Sequence, residues 1–336
     1  MSSRSPFFWG IISLLILMVL PISVHAQSIP IFNKVGSALV LEATQSWEGT
    51  DIYALTVILD GGLDKMWYAA GAFKGAPYNA PLSQIGYATS TDGTTWTKYE
   101  GNPVLSASFT RNVKGQAFTG LSISYPSVVK VAGTYFMYYR ETDGKGNYMI
   151  GWAISNDGIS WSKSTEPVLS GTFPDAVYAN GEWKMWYSVD YGTTGNIGYA
   201  TSSDGKSWQL VQRAGIPVPP QYDYADYTEA VFAGGSYHMW YRVDSSNAGR
   251  LYYATSPDGI NWSSFADNPL PQEADIAYTS VVVGQTSYMW YLGGDGVYLA
   301  STTMPIPEFE PLMIMPILIS GLVLTSLLNL RRRREE

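Results

Sequence analysis

The sequence predicts an all-β protein, a five-bladed β-propeller, and two repeated landmarks carry that expectation. One is a hairpin unit found four times: IGYATSTDGTTW from Ile85, IGWAISNDGISW from Ile150, IGYATSSDGKSW from Ile197 and LYYATSPDGINW from Leu251. The other is an aromatic strand found five times, ending at Tyr68, Tyr139, Tyr187, Tyr241 and Tyr291, at intervals of 71, 48, 54 and 50 residues by subtraction. A period of about 50 residues with several short strands per unit is the mark of a propeller.

The elements follow in chain order. Arg4, the apolar run Phe7 to Leu20, Pro21 and Val24-His25-Ala26 read as a secretory signal peptide spanning residues 1–26. Residues 27–305 then form the propeller. Blade four is the plainest, with an inner strand near Tyr227–Ala233, a Gly234-Gly235 turn and an aromatic strand Tyr237–Val243. Its third strand is Arg250–Ser256, and a fourth begins at Ile260. The fifth unit has its aromatic strand and Val297-Tyr-Leu-Ala300 but lacks the Asp-Gly-x-x-Trp hairpin. The apolar segment Ser37 to Trp47 is therefore expected to supply that outer strand and close the ring, leaving no open edge. Pro311 to Leu330 is an apolar run of 20 residues followed by Arg331 to Arg334, which reads as a transmembrane helix with a basic cytoplasmic tail.

The hairpin corners are Ser-Thr-Asp-Gly, Ser-Asn-Asp-Gly, Ser-Ser-Asp-Gly and Ser-Pro-Asp-Gly, the composition of a type I turn. Asp92, Asp157, Asp204 and Asp258 are expected to bond nearby backbone amides, which assigns them to architecture rather than chemistry. Trp96, Trp161, Trp208 and Trp262 each follow the glycine by three residues and read as packing anchors.

Composition removes several function classes. With no cysteine among 336 residues, neither disulfides nor thiolate chemistry is available. A net charge of −8 argues against a nucleic-acid partner, which needs clustered Lys and Arg. His238 is the one histidine beyond the signal peptide, so zinc is not expected, and its place in an aromatic strand favours packing. No cofactor is expected. Acidic loops such as Asp223-Tyr-Asp-Tyr-Ala-Asp226 would admit calcium without demanding it.

The succession of inner strand, aromatic strand, YATSxDGxxW and the Pro-Val-Leu linkers Pro103–Leu105 and Pro167–Leu169 resembles the five-bladed propeller glycoside hydrolases of families 43, 62, 32 and 68. That resemblance implies a polysaccharide or oligosaccharide partner and three carboxylates on the inner strands of the first three blades. They would act as base or nucleophile, modulator and acid. Ile306-Pro307-Glu308-Phe309 resembles a PEF-type archaeal sorting signal. It implies processing by an archaeosortase-like enzyme and an extracellular chain anchored to the cell surface by its C-terminus.

Twelve residues before the landmark tyrosine lie Ser127, Asp175, Glu229 and Thr279, with Leu55 in blade one once an extra turn residue is allowed. Four residues earlier, Asp51 and Asp275 match each other in blades one and five. Blade two reads Tyr125-Pro126-Ser127 where the resemblance would favour Asp-Pro. Two outcomes stay open: Asp51, Asp175 and Glu229 form a shifted triad with Glu229 as acid, or the funnel binds a glycan without cutting it. Arg140 and Arg242 directly follow the aromatic strand and could reach a sugar. Trp47, Tyr125, Tyr191, Tyr222 and Tyr224 are aromatics outside the repeat, able to stack on one.

Overall fold

A computed structural model describes residues 32–302 except 37–38, 72–82, 108, 114, 121, 143–145, 190–196, 221–223, 245–248, 267, 271–278, 283–285 and 294–295. Five antiparallel sheets carry the blades, each running outward from an inner strand. Blade one consists of Asp51–Asp60, Leu63–Gly71, Gln84–Ser90 and Thr97–Lys98. Blade two consists of Ser122–Val131, Thr134–Thr142, Tyr148–Ser155 and Ser162–Lys163, with Leu169–Ser170 also on its third strand. Blade three comprises Thr172–Ala179, Glu182–Ser188, Ile197–Ser202 and Gln209–Arg213. Blade four comprises Tyr224–Ala233, Ser236–Asp244, Arg250–Ser256 and Ser263–Ser264. Blade five has Thr279–Val282, Ser287–Leu292 and Val297–Thr302. Neighbouring inner strands touch all the way round, the fifth against the first, so the ring is closed. The 71-residue interval between the first two landmarks holds an extra hairpin, Phe109–Val113 with Gln116–Gly120.

Ring closure differs in detail from the expectation. The outer strand of blade five is Asn33–Lys34, antiparallel to Val297–Thr302, with Asn33 opposite Ser301 and Lys34 opposite Ala300. Among the described residues of the expected Ser37–Trp47 segment, only Val40 and Leu41 hydrogen-bond that strand, through Val40 N–H to Val297 O at 2.8 Å and Val297 N–H to Leu41 O at 2.9 Å. The reason is anchorage at both ends. Phe32 is buried edge-on against Trp240 at 5.8 Å, which draws the earlier residues onto blade five. Ser46–Glu48 form a short 3-10 turn tied to blade one. There the fully buried Glu48 carboxylate accepts Thr44 N–H at 2.6 Å, Gln45 N–H at 2.7 Å and Tyr68 O–H at 2.6 Å, with Lys98 Nζ at 2.7 Å. Burial pulls Glu48 upward, but Lys98, Tyr68 and the two backbone bonds hold it below the usual carboxylate range.

The repeated turn works as expected and does one thing more. In blade four Asp258 Oδ1 accepts the N–H groups of Ile260 and Asn261, both at 2.8 Å, and Ser256 Oγ accepts Gly259 N–H at 2.8 Å. The same pattern recurs at Asp92, Asp157 and Asp204. The turn glycine's carbonyl then receives an aromatic donor from another blade. Trp67 Nε1 donates to Gly158 O at 2.8 Å, Trp186 Nε1 to Gly259 O at 2.9 Å and Trp290 Nε1 to Gly93 O at 2.9 Å. Tyr138 O–H plays the same part toward Gly205. Blade five has no such turn, and Trp240 Nε1, fully buried, finds no acceptor among the described residues.

Among the described residues no helix is long and apolar enough to cross a membrane. The signal peptide, the sorting motif and the apolar run 311–330 lie outside the described residues.

Candidate ligand-binding site at the propeller axis

Four inner strands share a device that counting along the sequence misses. Each has a β-bulge, between Ile52 and Ala54, Ser124 and Ser127, Thr172 and Asp175, and Asp226 and Thr228. A bulge bends the strand and re-aims a side chain. Aromatics stand at these bulges: Tyr53, Tyr125, Phe173 and Tyr227. The last three have φ of 54°, 53° and 50°, a left-handed conformation that costs a bulky residue roughly 1–3 kcal/mol. Their rings meet across the axis: Tyr53 to Tyr125 at 6.0 Å, Tyr125 to Phe173 at 4.5 Å and Phe173 to Tyr227 at 3.9 Å. The result is an aromatic lid.

Beneath the lid lies an axial cavity of about 160 Å³, lined by Thr56, Ser127, Asp175 and Glu229 among others. Asp175 pairs across its strand with Trp186, and Glu229 with Trp240. The same pairing falls on Ser127, on Thr56 in blade one and on Ser280 in blade five. The aligned positions are thus Thr56 and Ser280 rather than Leu55 and Thr279. Blade one has the same two-residue turn as blade three, and blade five reaches the pairing one residue sooner.

These side chains knit the blades together. Ser127 Oγ accepts Ala176 N–H at 3.0 Å, Asp175 Oδ2 accepts Ala230 N–H at 2.8 Å and Glu229 Oε1 accepts Val281 N–H at 2.8 Å. Each bond crosses from one blade to the next. Burial first, and then the neighbouring Glu229 charge, raise Asp175 well above the usual carboxylate range. Asp175 is therefore the carboxyl poised to keep a proton.

The structure brings Asp175 and Glu229 into one cavity but does not bring Asp51 to them. Asp51 opens the inner strand of blade one opposite Gly71, with Thr50 Oγ1 donating to its Oδ2 at 2.8 Å. Four pairing steps separate it from Thr56, roughly 13 Å along a strand, with the bulge between.

Both arginines flank the lid. Arg140 lies opposite Ser124, donates to its Oγ at 3.0 Å and sits 4.4 Å over the Tyr125 ring, 5.5 Å from Tyr148 and 5.9 Å from Phe173. Arg242 lies opposite Asp226 and grips it with two bonds at 2.9 and 3.0 Å while covering Tyr227 at 4.4 Å. Stacked guanidiniums of this kind hold aromatic rings in place and present N–H groups at their edges. Asp226, which the sequence offered only as part of an acidic loop admitting calcium, lies instead in the inner strand of blade four and immediately precedes a bulge aromatic, Tyr227. Blade three carries Thr172 opposite Ser188 at the matching place. Both are buried, and their hydroxyls have no partner among the described residues. Buried hydroxyls are costly unless a ligand or water satisfies them.

The other candidates fall elsewhere. Trp47 packs on Tyr68 at 5.9 Å and donates to Gln45 Oε1 at 2.7 Å, as part of the arm that closes the ring. His238 is buried between Tyr253 O–H at 2.6 Å and Ala233 O at 3.3 Å, and burial lowers its pKa. Asp275, Tyr191, Tyr222 and Asp223 lie outside the described residues, while Tyr224 opens the inner strand of blade four. Among the described residues, no three His, Asp or Glu side chains stand together as a metal site.

Comparison with known proteins agrees with this architecture. No family model matches the chain. A 1,2-β-oligomannan phosphorylase from Thermoanaerobacter is 27% identical over 195 residues, covering 56% of this chain and 61% of that protein. The chain thus spans under two thirds of that relative's length. Among solved structures, a glycosyl hydrolase from Bacteroides ovatus superposes with a TM-score of 0.61 at 17% identity, covering 80% of this chain and 93% of its own. A β-1,2-mannobiose phosphorylase from Listeria innocua gives 0.62 at 13%, covering 82% and 95%. The chain has the five-bladed propeller fold shared by glycoside hydrolases and glycoside phosphorylases.

Proposed function

We propose that this chain is a carbohydrate-binding propeller that holds an oligosaccharide at its axial face without cleaving it. The observation that carries this reading is the row of bulges. Aromatic residues occupy them, Tyr125-Pro126 included, where the family resemblance would favour Asp-Pro. The two carboxylates closest to the axis are engaged with backbone N–H groups of the next blades. Tyr227, half-buried beside Arg242, is the bulge aromatic with surface left for a sugar. The likeness to a 1,2-β-oligomannan phosphorylase makes β-1,2-linked mannosides the first ligands to try.

A second reading is cleavage, favoured by the raised pKa of Asp175. There Asp175, rather than Glu229, would protonate the leaving glycosidic oxygen as the C1–O bond breaks. Water or phosphate would attack C1, giving a free sugar or a sugar 1-phosphate. Calorimetry of the full chain with β-1,2-manno-, arabino-, xylo- and fructo-oligosaccharides separates the two, with product analysis in the presence and absence of phosphate. The expected result is saturable heat with at least one series and no product. Product formation that is abolished in Asp175→Asn establishes the second reading instead.

The same proposal places the propeller outside the cell and held at the surface through its C-terminus, either by the run 311–330 itself or after processing at the 306–309 motif by an archaeosortase-like enzyme. The apolar run followed by four arginines supports it. Protease treatment of intact cells should remove the propeller. A chain protected until lysis would refute this placement.

A further inference from the structure

The hairpin turns set one triplet at the same outward place in four blades: Thr95-Trp96-Thr97, Ser160-Trp161-Ser162, Ser207-Trp208-Gln209 and Asn261-Trp262-Ser263. In each the tryptophan turns inward. Trp262 is buried against Trp186 at 5.6 Å, which pins the chain between its neighbours. Along extended backbone the first and third side chains share a face. Asn261 and Ser263 are both exposed, so an amide and a hydroxyl stand side by side on the outer rim of blade four.

Blades one to three carry Thr or Ser at the first position, and only blade four carries an amide. Asn261-Trp262-Ser263 is also the one Asn-x-Ser/Thr triplet in the whole sequence. That pattern, with any residue but proline in the middle, is the acceptor for N-linked glycan transfer. The turn also holds the asparagine ready. Its backbone N–H reaches Asp258 Oδ1 at 2.8 Å and its Nδ2 reaches Asp258 Oδ2 at 2.9 Å. The side-chain bond uses one of two Nδ2 hydrogens. A glycosylated amide keeps one N–H, so the turn survives modification.

We propose that Asn261 is the acceptor of an N-linked glycan, an inference resting on the extracellular placement given above. The donor is an oligosaccharide on a lipid phosphate. Nδ2 forms a bond to the anomeric carbon, the bond from that carbon to the phosphate oxygen breaks, and the lipid phosphate leaves with the electron pair. One Nδ2 proton passes to a base of the transferase.

The test uses the full chain isolated from its own host, with mass spectrometry of chymotryptic peptides spanning Asn261 and protease treatment of the same cells. A glycan mass increment should appear in the wild type and in Ser263→Thr, and vanish in Asn261→Gln and Ser263→Ala. Ser263→Ala leaves the Asp258 contacts intact, so its loss of glycan cannot come from a broken turn. An unmodified peptide from a chain that protease removes from intact cells overturns the proposal while leaving the surface placement standing. An unmodified peptide from a chain shielded inside the cell overturns both.

Discussion

Replacing Trp186 and Trp240 by phenylalanine, one at a time, tests how the blades are clasped. Both indoles are fully buried, and both lie among aromatic rings: Tyr199, Tyr237 and Trp262 around Trp186, Phe32 and Tyr253 around Trp240. The loss of ring volume is therefore similar at the two sites. What differs is the indole N–H. Trp186→Phe removes a 2.9 Å bond to Gly259 O, worth about 1 kcal/mol, and leaves that carbonyl still bonded to Trp262 Nε1 at 3.1 Å. Trp240→Phe removes a buried donor that has no acceptor among the described residues, relieving a cost of about 1–3 kcal/mol. Trp186→Phe should thus lose about 2–4 kcal/mol more than Trp240→Phe. For a propeller of this size that difference is roughly 4–16 °C in melting temperature. Differential scanning calorimetry reads it directly. Equal losses, or a greater loss at Trp240, would refute the idea that the glycine carbonyl of the repeated turn is the clasp.

Three further outcomes follow from the structure. Asp258→Ala should cost about 1 kcal/mol of stability through two lost backbone bonds, with calorimetric ligand binding unchanged. Glu48→Ala should cost about 3–5 kcal/mol, because it strands Lys98 and frees the arm that closes the ring, and hydrogen exchange should rise first along Asn33–Lys34. Asp175 has its carboxyl pKa raised in the fold, so its contribution is fully present below about pH 4 and is lost as pH rises through the raised value. Asp175→Asn keeps an acceptor for Ala230 N–H, and its melting temperature relative to wild type should climb between pH 4 and 8. A flat difference across that range would count against a buried protonated carboxyl.

The fold was legible because its signals are local and repeated. Five aromatic strands and four Asp-Gly-x-x-Trp turns determine the blade count, and the missing fifth turn points to closure by the N-terminal arm. What counting could not reveal is the bulge. One extra residue in each of four inner strands re-aims Tyr53, Tyr125, Phe173 and Tyr227 so that they meet at the axis, although their shared place, 14 residues before the landmark tyrosine and 15 in blade one, is countable along the chain. The closing strand was displaced because buried Phe32 draws residues 33–34 onto blade five while the Glu48 clasp ties the far end of the Ser37–Trp47 run to blade one. Asp175 and Glu229 were recognisable as axial carboxylates from their shared position. Their bonds to Ala230 and Val281 were not, because those depend on how neighbouring blades pack. Asp226, Thr172 and Ser188 acquire meaning only from the strand opposite: the first meets Arg242, the other two meet each other.

The most direct test of the central claim is a crystal structure of the full chain with β-1,2-mannotriose. The account predicts an intact trisaccharide at the axial face, one ring against Tyr227 beside Arg242. A sugar bound away from the axis would contradict the assignment of the site. Cleaved sugar in the axial cavity beside Asp175 and Glu229 would contradict binding without cleavage.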